Sequence, residues 1–103
     1  MNQTIRPATP GHVLLTQFLE PNGISQTALA THTGWTRKHV NQLCRGKVTV
    51  TIDSALILAK VLGTDPDLWL SLQKNVDLWD ALHSEDRRGR IEKARPFHQC
   101  MAA

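Results

Sequence analysis

The chain has 103 residues, of which 41% are hydrophobic and 20% charged, with a formal net charge of +3. This length supports one domain with a modest core and leaves no room for a second independent one. No apolar run approaches the ~18 residues of a membrane span, and the N-terminus lacks the apolar centre of a signal peptide. We therefore expect a cytoplasmic protein with no membrane segment.

The basic residues are distributed unevenly along the chain. Between Pro21 and Ile52 there is no acidic residue, and the basic residues there are Arg37, Lys38, Arg45 and Lys47. From Asp53 to Asp80 the acidic residues outnumber the basic ones, and after Ser84 the chain is rich in arginine again. A positive field is therefore expected over the central segment, where a phosphate backbone could bind.

Signs of metal binding or catalysis are weak. Cys44 and Cys100 are far apart and belong to no CxxC motif, and the five histidines form no pair at helical spacing. No zinc, nucleotide-binding or hydrolase motif is present. We expect no metal site, no cofactor and no enzymatic activity, and we expect Cys44 to be a small core residue.

The first helix is predicted to follow a flexible N-terminal arm, residues 1–8, which shows no apolar periodicity. Thr9 is a suitable N-cap, and Pro10 occupies the first helical position, where its missing donor costs nothing. The helix should continue to Glu20, because apolar residues recur at helical spacing. These residues are Leu14, Leu15, Phe18 and Leu19.

Residues 25–47 indicate two short helices joined by a tight turn. Ser25 should cap the first of them and Thr36 the second, which should end at Gly46. Gly34 lies between them, and glycine enters the left-handed conformation that reverses the chain without steric cost. The pattern predicts a helix-turn-helix formed by helices 2 and 3.

After the helix-turn-helix, residues 48–52 alternate as a strand would. A lone strand without a partner is unfavourable, so we predict an extended connection in which Thr51 caps the next helix. This fourth helix should run from Ile52 to Leu62 and end at Gly63. The residues that we expect it to bury are Ile52, Ala55, Leu56, Ala59 and Leu62.

A fifth helix, Pro66 to Leu82, is predicted after the cap Asp65. Its apolar residues cover about half of its circumference, more than the ~100° stripe that one core contact needs. A second apolar face suggests a second copy of the chain. The interface residues that we predict are Leu70, Leu78, Trp79 and Leu82.

The sequence after Ser84 is polar and basic, and helix, partner-added strand and disorder all remain open for it. The predicted organisation is therefore an arm (1–8), a helix-turn-helix domain (9–83) and a tail (84–103).

The third helix has the composition of a DNA-reading helix. With Val40, Leu43 and Cys44 directed inward, its other side presents long hydrogen-bonding side chains. Arg and Lys donate to guanine, and Asn and Gln pair with adenine. We predict base contacts from Arg37, Lys38, Asn41 and Gln42, and phosphate contacts from Gln26, Thr36, His39, Arg45 and Lys47. A polar helix face is often only solvated surface, but the helix-turn-helix spacing and the absence of acidic residues favour DNA.

Residues 25–47 resemble the helix-turn-helix of the lambda-repressor-like XRE (Cro/C1) family. The flanking segments are similar to the HigA antitoxins within that family. The segments that carry this similarity are Arg6-Pro7 with Pro10-Gly11, Phe18-Leu19-Glu20-Pro21, Ala59-Lys60 before Leu62-Gly63-Thr64, Leu68-Trp69-Leu70 with Leu72-Gln73, and Asp77-Leu78-Trp79. His12 and Trp35 depart from the family pattern, and the role of Trp35 is left open.

The resemblance implies an all-α, five-helix lambda-repressor-like DNA-binding domain. It also implies a homodimer that represses its own operon at a palindromic double-stranded operator and that neutralises, by direct binding, a HigB-like toxin of the RelE-like mRNA-cleaving type. The alternative is a stand-alone phage-type or restriction-system regulator. A third hypothesis is that the helix-turn-helix is only a scaffold for protein contacts.

Overall fold

The computed structural model describes residues 5–97 and contains six helices and no strand within that range. The predicted all-α class is confirmed, with one helix more than the five expected. Residues 1–4 of the arm and 98–103 of the tail, including Cys100, lie outside the described residues. The helices are α1 (Pro10–Val13, continued by a π-helical segment Leu14–Leu19), α2 (Gln26–Thr33), α3 (Arg37–Cys44), α4 (Ile52–Leu62), α5 (Pro66–Leu82) and α6 (Glu85–Lys93).

The predicted helix caps are confirmed. Each cap residue accepts a backbone N–H from the first turn of its helix, which satisfies a donor that has no partner within the helix. The five are Thr9, Ser25, Thr36, Thr51 and Asp65. Gly34 and Gly63 end α2 and α4 with φ of 82° and 71°, in the left-handed region. Local sequence therefore determines where these helices begin and end.

One hydrophobic core joins α1 to α5 around Trp69, whose side chain is 0% exposed. The Trp69 ring lies 5.2 Å from the ring of Phe18, and its Nε1 donates to Thr64 Oγ1 at 2.8 Å. Other fully buried side chains come from α1, α2, α3 and α4: Leu14, Leu19, Leu29, Val40, Leu43 and Leu58. Each such side chain stabilises the fold by roughly 1.5–3 kcal/mol relative to exposure.

The close crossing of α1 and α3 requires Gly11. A Cβ atom at this position would lie 1.6 Å from the carbonyl oxygen of Leu43. No side chain fits there, so the crossing holds α3 directly against α1 by backbone contact.

The predicted inward face of α4 is partly wrong. Ala55 and Ala59 are buried as expected and Leu62 is half-buried, but Ile52 is 61% and Leu56 53% exposed. Leu58 is fully buried instead. The face that meets the core is rotated towards Leu58, so Ile52 and Leu56 lie at its solvent edge. The predicted extended connection before α4 is confirmed, with Val50 buried.

The open question of the tail is decided for Glu85–Lys93, which form α6. No residue of α6 is buried, and its side chains form ion pairs along the helix, Arg90 with Asp86 and Arg88 with Glu92. Among residues 5–97, none of the helices has the length and apolar character needed to cross a membrane.

Candidate nucleic-acid interface

Three buried side chains fix α3 on the core. Val40 and Leu43 are almost completely buried, and Cys44 is buried beside them, where desolvation raises the pKa of its thiol. The thiol therefore stays protonated and acts as a small apolar residue. Since the inner row of α3 is fully used in packing, only its outer row is available to a ligand.

The predicted base-contact residues share that outer row. At 3.6 residues per turn the four residues span an arc of about 140°, with Lys38 and Gln42 opposite the buried side and Arg37 and Asn41 on its flank. Arg37 and Lys38 are exposed, while Asn41 and Gln42 are half-buried. The structure therefore brings the four residues together on one accessible surface, with the two cationic side chains in the first turn of α3.

Asn41 and Gln26 form a contact that the sequence did not predict. Asn41 Nδ2 donates to Gln26 Oε1 at 3.1 Å, which joins α3 to the first turn of α2. The bond leaves the Gln26 amide group free to donate and the Asn41 carbonyl free to accept. The two side chains, one predicted for phosphate and one for a base, thus form a single hydrogen-bonded unit.

Thr36, Trp35 and His39 form the turn side of the surface. Thr36 Oγ1 accepts from the backbone N–H of His39 at 3.0 Å, and its hydroxyl proton can still be donated outward. His39 is half-buried and packs edge-on against Trp35, with ring centroids 4.9 Å apart. Trp35 therefore has at least one structural role, which is to support the N-terminal end of α3 through His39.

Arg45 and Lys47 lie exposed just beyond the end of α3. The N–H groups of Gly46 and Lys47 donate back to Leu43 O and Gln42 O at 3.0 and 2.8 Å, and Gly46 has φ of 73°. This ending turns the chain away from the helix axis and places Lys47 at the start of the connection to α4.

Two long-range contacts beside this surface were missed from the sequence. Gln73 Oε1 of α5 accepts from the backbone N–H of Val50 at 2.8 Å. Arg6 Nε and Nη2 donate to the two carboxylate oxygens of Asp80 at 2.8 and 2.9 Å. This pairing raises the pKa of the Arg6 guanidinium and lowers the pKa of the Asp80 carboxyl. The partners are 23 and 74 residues apart, so no local pattern indicates either contact.

The residues predicted for a dimer interface occupy two parts of α5. Leu70 and Leu78 line a groove of about 410 Å³ beside α6, together with Val50, Ala81 and Arg87. Leu82 is exposed, and Trp79 instead stacks on His83 with ring centroids 3.8 Å apart. Trp79 Nε1 is buried and has no hydrogen-bond partner among residues 5–97. Leu70 and Leu78 therefore share one groove, to which Trp79 does not contribute.

Residues 15–69, more than half of the chain, match the family model described as helix-turn-helix. Antitoxin HigA-1 of Vibrio cholerae is 40% identical over 88 residues, which cover 85% of this chain and 83% of that protein. The chain belongs to the HigA-type branch of the XRE helix-turn-helix family.

Other members of the family are also similar to the chain. The uncharacterised helix-turn-helix transcriptional regulator YbaQ of Escherichia coli K12 is 38% identical over 97 residues, 91% of this chain and 86% of YbaQ. The solved structure of antitoxin GraA in complex with its operator superposes with a TM-score of 0.80 at 31% identity, over 95% of this chain and 98% of GraA. The XRE-type assignment and the all-α fold are thus supported by sequence and by structure.

Proposed function

We propose that this protein is the antitoxin of a type II toxin–antitoxin module, a dimeric autorepressor that also neutralises a HigB-like, RelE-like mRNA-cleaving toxin by direct binding. The observation that carries the proposal is the polar outer row of α3, fixed on the core by Val40 and Leu43 and free of acidic side chains. The similarity to GraA, whose structure contains its operator, supports DNA as the ligand of this row.

In the proposed complex, the first turn of α3 enters the major groove. Arg37 and Lys38 are exposed there and would donate to guanine, while Asn41, which donates to Gln26, and Gln42 would approach adenine. The surrounding donors would contact phosphates, helped by the N-terminal amide groups of α2 and α3. These surrounding residues are Gln26, Thr36, His39, Arg45 and Lys47.

The proposed dimer forms at the groove between α5 and α6. An isolated helix shorter than about 12–15 residues is marginal in water, and α6 has nine residues with none buried. A second copy that covers Leu70, Leu78 and Ile91 would supply the apolar contacts that α6 lacks within one chain. Two copies related by a twofold axis would place their recognition helices ~34 Å apart on a palindromic operator.

The proposed toxin contact involves surface outside the helix-turn-helix. The antitoxin role is proposed from the similarity to Antitoxin HigA-1 of Vibrio cholerae. The proposed location is the cytoplasm, where DNA and mRNA are found. We propose that the toxin binds either the N-terminal arm or the basic tail, both of which lie outside the helix-turn-helix.

DNA binding is tested by measuring the affinity for the region upstream of the gene as a function of salt. A specific complex should weaken steeply as salt rises, with a slope of about 0.9 for each phosphate contacted. A random duplex of equal length is the control. Equal affinity for both duplexes would contradict the repressor proposal and would favour a scaffold role.

Toxin neutralisation is tested by co-expression. A short basic RelE-like protein encoded beside this chain should arrest growth when expressed alone and should copurify with this chain, which restores growth. The similarity to YbaQ, named as a transcriptional regulator, supports a stand-alone regulator as the second candidate. Operator binding without rescue of growth from such a toxin would favour that candidate.

A further inference from the structure

The connection between α3 and α4 carries Lys47, a predicted phosphate contact, and is held by α5. Gln73 Oε1 accepts from the Val50 N–H at 2.8 Å, and Gln73 Nε2 donates to Asp77 Oδ1 at 3.0 Å. A backbone N–H can only donate and a carboxylate can only accept, so the two partners fix the orientation of the Gln73 amide. We call Gln73 and Asp77 the α5 clasp.

The clasp adds a polar anchor to a connection that also packs on the core through the buried side chain of Val50. Lys47 and Thr49 are exposed, and Val48 is half-buried. The preceding end is fixed by the turn at Gly46, whose backbone packs against the side chain of Thr9. Between that turn and the cap at Thr51, the Val50–Gln73 bond is the polar anchor to another helix found among residues 5–97.

The N-terminal arm closes the other side of this connection. Arg6, Lys47, Val48, Gln73, Asp77 and Asp80 line one cleft of about 190 Å³. The Arg6–Asp80 ion pair is part of its lining, and Asp77 adds to the negative charge that Arg6 faces. Lys47 is thus three residues away from Val50, whose backbone is bonded to the Gln73 amide, and both polar groups of that amide have partners.

We propose that Gln73 is a positioning residue for DNA binding, which acts through Val50 to hold Lys47 in place to contact an operator phosphate. The inference rests on the proposed DNA-binding function. Gln73 itself is half-buried on α5 and touches the connection, not the outer row of α3. Its effect on DNA should therefore depend on Lys47 and be independent of Arg37.

The clasp is first tested without DNA, by amide hydrogen exchange in the full chain. Gln73→Leu keeps the size of the side chain but leaves the Val50 N–H without an acceptor, so exchange at Val50 should accelerate about tenfold or more. Asn75→Leu, on an exposed position of the same helix, is the matched control. An unchanged exchange rate at Val50 in Gln73→Leu would overturn the clasp.

The coupling to DNA is tested by double-mutant cycles on operator affinity. Gln73→Leu and Lys47→Ala should each weaken operator binding about fivefold to tenfold, and the double variant should be little weaker than Lys47→Ala alone. Both should lower the salt slope by about 0.9, the value for one phosphate. When Gln73→Leu is combined with Arg37→Ala, in contrast, the loss of operator affinity should equal the product of the two single losses.

A charge exchange separates positioning from a general loss of stability. Gln73→Glu places two carboxylates about 3 Å apart and should weaken operator binding, because their repulsion drives the new side chain from Val50. Adding Asp77→Asn should restore affinity to within about twofold, since the new amide can donate to the new carboxylate. Failure of this rescue, or multiplication of the Gln73→Leu and Lys47→Ala effects, would overturn the proposal. If the wild-type protein did not bind the operator at all, the proposed function itself would be contradicted.

Discussion

The helices α3 and α6 are of similar length, eight and nine residues, and both carry several basic side chains, but they are held in different ways. Three residues of α3 are buried in the core, whereas α6 has no buried residue. Two of the three arginines of α6 also pair with an acidic residue one turn away, Arg90 with Asp86 at 2.8 Å and Arg88 with Glu92 at 4.0 Å. In α3 no acidic residue is present.

The difference separates a surface suited to reading DNA from a merely basic one. A base-reading side chain needs a fixed position relative to the groove, and burial of the opposite helix face provides that position. Helix α6 has more basic residues than α3, but acidic residues of the same helix partly neutralise their charge. A second copy of the chain is the contact that we expect to hold α6 in place.

The largest expected effect is on the anchoring of α3. Leu43→Ala should lower the free energy of unfolding by about 2–5 kcal/mol, because it leaves a cavity in the core next to the α1 crossing. Ile91→Ala in α6 should change it by about 0.5 kcal/mol or less. Urea unfolding of both variants, on a background with Leu78→Asp to remove the second copy, measures the difference. Equal effects would show that α6 is anchored as α3 is.

The next effect concerns the partner of α6. Leu78→Asp places a charge in the α5–α6 groove and should weaken the dimer by at least about 2 kcal/mol, as expected for the centre of an interface. Leu56→Asp is the matched control, because both leucines are 53% exposed and Leu56 is on α4, outside the groove. Sedimentation at micromolar concentration should find a monomer for the first variant only. A monomeric wild type, or a dimer in both variants, would rule out this interface.

A smaller effect distinguishes the two basic surfaces by their affinity for DNA. Arg37→Ala and Lys38→Ala should each cost about 1–3 kcal/mol of operator affinity, because each removes a predicted base contact. Lys93→Ala in α6 removes the same charge and should leave the preference for operator over random DNA unchanged. Titration of both duplexes with each variant measures this preference. An equal loss of preference for the operator in all three variants would show that the DNA-reading surface is not on α3.

The smallest effect is expected at the exposed ion pair between Arg6 and Asp80, which resembles the contacts of α6 more than those of α3. The pKa of Asp80 is lowered in the folded chain, so the pair stabilises the fold above the unfolded pKa of about 4 and loses this effect as the pH falls through the lowered pKa. Asp80→Asn should therefore lower the Tm slightly at pH 7, and by less as the pH falls through the lowered pKa of Asp80. Adding Arg6→Met to Asp80→Asn should lower the Tm no further, because the ion pair is already absent. A larger loss of Tm at low pH than at pH 7 would contradict the assignment of this ion pair.

The local parts of the fold were predictable because short-range interactions determine them. Ser25, Thr36 and Thr51 cap their helices with their own side chains, and Gly34 and Gly63 provide left-handed endings. The inner row of α3 follows from apolar spacing. The inner face of α4 was less predictable, because most of its residues are apolar and the orientation of its neighbours selects Leu58 over Leu56.

The sequence by itself determined the family, the helix-turn-helix and the outer row of α3, since these depend on residue types at fixed short spacings. Only the tertiary structure decided that Asn41 is bonded to Gln26, that Gln73 holds Val50 and that Arg6 is paired with Asp80. Those pairings join residues far apart in the chain, and their geometry depends on how the helices pack. Local propensity carries no information about which distant side chain will lie opposite.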